Sequence, residues 1–372
     1  MPSNSPGNSA PSGARGERFS GSAGRARATA THPHPAHDAH PPLQIGILLP
    51  TREQAINGTY AAAPLLDFAK AAEMLGFDSL WAGDSLTARP RLDPLIVLSA
   101  AAAATKHIKV GTAALTPALR HPLIGANMAA SLSHVAAGRL ILGLGSGFPM
   151  PETEEEFASV GASFQGRVGR LDEITALWRT AWRSGEEGEP AEFEGKFWQA
   201  ENLDRLPAPA VPGGPPLWLA GSDTPKVLAR AATRYDGWLP FLPDVDAYAR
   251  ARRRIAELAE EAGRGAHAVT PALYATVTVG ADEAAARAEL EHYISHYYGR
   301  SLDQMRTIQA YAWGSAEKCA EWLGGYVRAG ARHLVVRIGS LDPEPQLKEI
   351  AEVLLPAVRA LGQSTTVGST QS

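Results

Sequence analysis

LQIGILLP (residues 43–50) is followed by Ala61–Leu75, which sets Leu65, Phe68, Ala69, Ala72 and Leu75 at helical spacing, and GFDSLWA (76–82) then returns to a short apolar run. A continuous apolar run of this length reads as a strand buried on both faces, and the three-four spacing reads as an amphipathic helix. Gly76 stands where a helix C-cap belongs. The same alternation continues along the chain. Asp93-Pro94 opens a helix with an N-cap and a proline at the first helical position. Ile108–Leu115 is a third strand, a helix from about Pro122 ends at Gly138, and Leu140–Leu144 is a fourth strand. Pro216–Ala220, Gly237–Phe241, Ala272–Val279 and His333–Ile338 supply four more. Eight strands in strict alternation with helices favour a single closed (β/α)8 barrel over an open doubly wound sheet. Two stretches interrupt the rhythm. Ser184–Gly214, rich in Gly, Pro and Glu, reads as an excursion between strands four and five, and Asp282–Trp313 as extra helix after strand seven that ends in an aromatic group.

The barrel is expected to occupy residues 43–361. Residues 1–42 contain no Leu, Ile, Val, Trp or Tyr and cannot bury a core, so a disordered tail is expected there, and a second, polar one over 362–372. His32, His34, His37 and His40 could hold a metal only by ordering a proline-broken tract, and no metal site is read. A formal net charge of -4 gives no field for nucleic acid or an anionic membrane surface. No apolar run approaches the roughly 18–20 residues of a spanning helix. With one cysteine, Cys319, in a helical setting and no apolar secretory segment, the expectation is a reduced, cytoplasmic protein.

In a barrel of this kind chemistry sits at the carboxyl ends of the strands. The strand-four loop, Gly143-Leu-Gly-Ser-Gly147, lacks the dinucleotide fingerprint, because Phe148-Pro-Met-Pro151 follows where a helix should begin. What remains is bare backbone that a flat or anionic ligand can approach, or simply a tight turn. The strand-five loop, Gly221-Ser-Asp-Thr224, leads into Pro225 and a helical run; it reads as a phosphate site made by a helix N-terminus, or as a plain cap. Asp84-Ser85 follows strand two, and Asp84 is the only acid in the strand-end cluster of the first four strands. It could act as an acid/base, hold a ligand N–H, or brace a neighbouring loop. Arg167, Arg170 and Glu173 read as a solvated ion-pair face, and Trp178 and Trp182 as helix packing.

Several of these stretches, in order, resemble the luciferase-like flavin oxidoreductases: GFDSLW at 76–81, KVGTAA at 109–114 leading to Arg120-His-Pro122, GRLILGLGSG at 138–147, Phe164-x-x-Arg-x-x-Arg-Leu-Asp-Glu173, PLWLAGS at 216–222 and Asp236-Gly-Trp238. The resemblance runs from Leu43 to about Leu361. It implies a barrel that binds FMN or the deazaflavin F420 at the carboxyl ends of its strands. It implies a non-prolyl cis peptide at Ala113-Ala114 beneath the ring, Gly145 and Ser146 near the cofactor tail, and Gly221, Ser222 and Thr224 at its phosphate. Asp84 and Ser85 fall where the family keeps its acid/base pair, although Ser85 replaces a histidine that many members carry. Ser146 replaces a phosphate-binding arginine of the family's namesake. The expected chemistry is a two-component monooxygenase in which reduced FMN from a separate flavin reductase meets O2 and a small organic substrate. F420-dependent hydride transfer on the same scaffold is the alternative, and a non-catalytic flavin-binding barrel a third reading. A homodimer is compatible with each.

Overall fold

A strand that is apolar at every position needs cover on both faces, and closing such strands into a ring wrapped by helices provides it. The computed structural model describes residues 42–187 and 191–367, with side chains to 362. The N-terminal tail read from the sequence, with its four histidines, lies outside the described residues. The strands are β1 (Gln44–Leu48), β2 (Ser79–Ala82), β3 (Lys109–Leu115), β4 (Leu140–Leu144), β5 (Phe193–Glu194), β6 (Gln199–Ala200), β7 (Leu217–Ala220), β8 (Gly237–Leu239), β9 (Thr270–Val279), β10 (Ala310–Gly314) and β11 (His333–Ile338). The ring runs β1-β2-β3-β4-β7-β8-β9-β11 and returns to β1, parallel throughout. These eight are the strands expected from the sequence, so the molecule is a (β/α)8 barrel.

Helices fall where their signals stand. Ala62–Met74 ends before Gly76, whose φ of +85° needs no Cβ. Pro94–Ala104 starts on Asp93, whose carboxylate accepts from the backbone of Leu95 and Ile96. The excursion after β4 carries the small antiparallel pair β5–β6. The stretch 282–313 departs from the expected helix at its end. Glu283–Tyr298 and Leu302–Met305 are helical, but the aromatic end is β10. It pairs with the upper half of β9, Ala310 opposite Ala275 through Gly314 opposite Val279, whereas β8 pairs only with Thr270 and Pro271 below. The alternation Ala-Tyr-Ala-Trp is a strand period, and the free edge of β9 above β8 receives it. The last helix, Leu355–Val367, runs past the boundary expected at Leu361, and the remainder of that expected tail lies outside the described residues. No helix among the described residues is long and apolar enough to cross a membrane.

Strand alternation sorts the apolar residues into two layers. Ile45, Ile47, Leu80, Val110, Leu142, Leu219, Leu273 and Val336 face the helices, and Leu48, Trp81, Ile141, Trp218, Leu239, Ala272 and Val335 fill the bore. The indoles fit because glycine faces them: a Cβ on Gly46 or Gly111 would lie 2.5 Å from Trp81, and one on Gly237 would collide with Trp218. At the amino end of the bore the ring of His333, 2% exposed, meets the edges of both indoles. Ser79 Oγ accepts from Trp81 Nε1 at 2.8 Å and shares a second hydrogen bond with His333 Nε2 at 2.7 Å.

Burial, with Lys109 nearby, holds the His333 imidazole down at about 3. A base that stays neutral in the folded chain but titrates normally in the unfolded one contributes its stability above the unfolded pKa. That stability is lost as pH falls from about 6.5 towards the folded value. Going from about pH 7.5 to about pH 5, the wild-type chain should lose roughly 2 kcal/mol more than His333→Gln, which can bond Ser79 without titrating. Urea unfolding at the two pH values measures the difference, and parallel losses would remove His333 from the account.

Candidate active site

Two residues beyond the bore layer, β3, β7, β9 and β11 reach the floor of a cavity at the carboxyl end of the barrel. It encloses about 390 Å³. Ala113 follows Gly111 in phase, Ala220 follows Trp218, Tyr274 follows Ala272 and Arg337 follows Val335, and all four line it. The walls come from Gly83–Ser85, Arg89 and Arg91, from Gly147–Met150, and from Tyr297, Tyr298 and Arg300. The Ala113-Ala114 peptide is cis, as the resemblance implies, and the β3–β4 register shifts there, between Thr112 and Leu115.

The structure brings Asp84, Ser85, Ala113 and Ala114 together around this cavity. Asp84 is fully engaged. Arg120 grips both of its oxygens at 2.7 and 3.0 Å, and the backbone N–H of Thr116 donates to one of them at 3.0 Å. Arg120 reaches on to Asp93 at 2.6 Å, tying the loops after β2 and β3 to the cap of the helix between them. Although burial works against the Arg120 charge, the two carboxylates hold its pKa above the ordinary value. Ser85 is engaged too: its hydroxyl donates to Glu156 Oε1 at 2.8 Å and accepts from the backbone of Arg89. The same Glu156 oxygen takes the N–H groups of Leu86, Thr87 and Ala88 and so gathers the whole loop.

Gly145, Ser146, Gly221, Ser222 and Thr224 do not line the cavity but continue from it. Leu115 pairs with Leu144 and Leu144 with Leu219, so the ends of β3, β4 and β7 lie side by side. Gly145 N–H donates to Leu115 O at 2.8 Å, and a Cβ on Gly145 would touch the Ala114 methyl at 3.5 Å. Thr224 is the N-cap of the helix Pro225–Arg234 but makes no side-chain cap bond. The N–H groups of Val227 and Leu228 donate to Thr224 O and Pro225 has none, so the first turn presents its dipole and the Lys226 N–H.

The sequence reading missed the most buried charge of the site. Arg337 is 2% exposed; its Nε donates to Thr276 Oγ1 and its Nη1 to the Tyr298 hydroxyl, both at 2.9 Å. Tyr298 in turn donates to Gln309 Oε1 at 3.2 Å. Burial alone would raise the Tyr298 phenol, but the Arg337 charge and hydrogen bond, with Gln309, bring it below its ordinary value. The available signal was His333-Leu-Val-Val-Arg-Ile338, one charge in an apolar strand and in phase with its inward residues. The stripe read as a solvated ion-pair face is also corrected. Glu173 accepts from the backbone N–H groups of Lys196, Phe197 and Trp198, clamping the β5–β6 turn. Arg170 stacks on Phe197, and Arg167 donates to Gly147 O in the strand-four loop. Among the described residues no group of three or more His, Cys, Asp or Glu could hold a metal ion.

A family profile described as luciferase-like monooxygenase matches residues 43–333. The F420-dependent hydroxymycolic acid dehydrogenase of Mycobacterium tuberculosis is 32% identical over 256 residues, which cover 64% of this chain and 68% of that protein. The F420-dependent glucose-6-phosphate dehydrogenase of Beutenbergia cavernae is 29% identical over 340 residues, 81% of this chain and 95% of that protein. Among solved structures, the oxygenating constituent of 3,6-diketocamphane monooxygenase from Pseudomonas putida, in complex with FMN, superposes with a TM-score of 0.65 at 20% identity. It covers 85% of this chain and 98% of that one, and the likeness is one of fold.

Removing one partner of a buried ion pair strands the other. Asp84→Asn should therefore cost about 3 kcal/mol in urea unfolding, near the low end for such pairs because Asp93 still holds Arg120. A change within about 0.5 kcal/mol, the level of an ordinary surface substitution, would mean that Asp84 does not brace these loops.

Proposed function

The chain belongs to the luciferase-like monooxygenase family, and from that premise we propose that it is an F420-dependent oxidoreductase acting on a small alcohol or carbonyl compound. The observation that carries the cofactor reading is the side-by-side placement of the ends of β3, β4 and β7, which sets Ala113-Ala114 beside Gly145 and β7, with its 221–224 loop, next to β4. The residues present fit a ring with a phosphorylated tail. The bare backbone at Gly145 leaves room beside the Ala114 methyl, and the helix start after Thr224 presents its dipole and the Lys226 N–H to a phosphate, the N–H groups of Val227 and Leu228 being taken by Thr224 O. The reading of F420 over FMN rests on the two relatives near 30% identity, both named for F420. The fold likeness to an FMN-bound oxygenating protein supports the second reading, reduced FMN supplied by a reductase with O2 as co-substrate.

Bound F420 would supply the hydride acceptor or donor. Ala113 and Ala114 would support its ring, Gly145 and Ser146 flank its tail, and Gly221, Ser222 and Thr224 hold its phosphate. Asp84 acts by fixing the loops after β2 and β3 through Arg120, and Ser85 by fixing its own loop through Glu156. Both are positioning residues, since each spends its hydrogen bonds on fixing a loop. The proton of the substrate hydroxyl would fall to Tyr298 in its phenolate form, at the cavity wall, a form that the Arg337 charge and hydrogen bond favour.

Two experiments test this. Fluorescence titration of the purified chain should give tighter binding of F420 than of FMN. Ser222→Asp, which sets a carboxylate against the phosphate, should weaken F420 by at least about tenfold with little change in melting temperature. Tighter FMN binding, with oxygen uptake once a flavin reductase is added, would promote the oxygenase reading instead. With a turned-over substrate in hand, Tyr298→Phe should lower kcat by roughly 100-fold or more while F420 affinity holds. An unchanged kcat would send the proton elsewhere.

A further inference from the structure

Arg120 braces its loops through two carboxylates, and two other arginines of the barrel rest their forks on backbone carbonyls. Arg139 donates to Ile108 O at 2.6 Å and Ala102 O at 2.8 Å, and Arg264 to Ala232 O and Tyr235 O, each at 2.8 Å. Arg337 does neither. Its Nε and Nη1 have the partners already named; its Nη2 is buried with no hydrogen-bond partner among the described residues, as is the Nε of Arg139, and the Tyr311 hydroxyl lies close to the guanidinium. The guanidinium keeps its charge under all ordinary conditions. No carboxylate forms a salt bridge with it among the described residues. What surrounds it are aromatic faces: Tyr297 at 4.6 Å, with Tyr293, Tyr274 and Tyr298 between 5.4 and 5.5 Å. Those faces ease a buried cation without cancelling its charge.

The rest of the cavity leans the same way. Arg89, Arg91 and Arg300 line it with Arg337, and Arg89 Nε is a second buried donor without a partner. Asp84 and Glu156 are the only carboxylates on the lining. Arg120 matches Asp84, and the Ser85 hydroxyl with three backbone N–H groups occupies Glu156 Oε1. Four arginines against these two engaged carboxylates leave the lining net positive, with buried Glu53 behind it, bonded to Tyr293, as the further acid of the neighbourhood.

We propose that Arg337, assisted by Arg89, is an oxyanion receptor, and that the substrate of this enzyme is a compact molecule bearing a carboxylate or a phosphate. The planar fork suits either headgroup. Assigning the anion to the substrate rests on the reading of Ala113-Ala114 as the seat of the cofactor ring.

The test is calorimetric titration of the full chain with inorganic phosphate and with acetate, cofactor-free and loaded with F420, alongside the near-ultraviolet difference spectrum of the tyrosines. At least one anion should bind the cofactor-free chain and perturb the tyrosine spectrum, and the tighter one identifies the headgroup. Arg337→Gln should weaken that binding by at least about tenfold, the equivalent of one charge-assisted contact. Should this buried variant fail to fold, Arg89→Gln on the loop decides, with an expected severalfold loss. Ser222→Asp should leave the anion in place. Anion binding that survives both arginine substitutions, or that Ser222→Asp abolishes, overturns the proposal, as does the absence of binding by either anion. Competition between phosphate and F420 that Arg337→Gln removes would give Arg337 to the cofactor and overturn the substrate assignment; binding through Arg337 that is equal or tighter in the loaded chain supports it. A chain that fails to bind F420, yet binds phosphate through Arg337, upholds the receptor and removes the cofactor reading alone.

Discussion

A closed ring of short strands gives each strand only two or three positions that point inward, and the alternation of side chains leaves no choice about which they are. Everything distinctive here depends on how those positions are filled. Near the amino ends they hold Ser79 and His333, in the middle Trp81, Trp218 and Val335, and at the carboxyl ends Ala113, Ala220, Tyr274 and Arg337. Two indoles facing glycines close the bore, so the cavity above them has a solid floor. Small residues on β3 and β7 keep that floor low on one side, while Tyr274 and Arg337 raise it on the other. The asymmetry gives a flat apolar side beside the cis peptide and a polar, cationic side beneath the tyrosines, with one set of alternating strands producing both.

The sequence was informative wherever one physical rule acts within a few residues. Strands buried on both faces are continuous apolar runs, and all eight ring strands were legible as such. The Asp93-Pro94 cap and Gly76 were legible for the same reason. The helix start at Thr224 was legible as an anion site or a plain cap, and its side chain makes no cap bond. β10 was misread because its alternation of Ala, Tyr, Ala and Trp is short and its partner edge exists only where β8 and β9 separate. Partnerships over long chain separations were not legible at all. Asp84 meets Arg120 across 36 residues, Ser85 meets Glu156 across 71, and Arg337 meets Thr276 across 61. The three roles left open for Asp84 differ only in such partners. Arg337 left a local trace, a lone charge inside an apolar strand, and its phase relative to Val335 would have pointed it into the bore.

The chain is net acidic, and yet its cavity is cationic. The explanation lies in where the carboxylates go. Glu73 takes the backbone N–H groups of Lys106, His107 and Ile108, Glu156 those of Leu86, Thr87 and Ala88, and Glu173 those of Lys196, Phe197 and Trp198. Each is a helical acid that fixes a distant loop by filling a concave run of amides. At Glu73 the burial that opposes ionisation is outweighed by those amides, so its carboxyl falls below the ordinary value. Acids used as loop clamps have little field left for the arginines nearby, because their charge is already satisfied by backbone dipoles. Of these clamps Glu156 holds a loop that frames the cavity, so that acid on the lining is spent on backbone N–H groups rather than on the arginines beside it. The device that makes the site rigid is also the one that makes it attract anions.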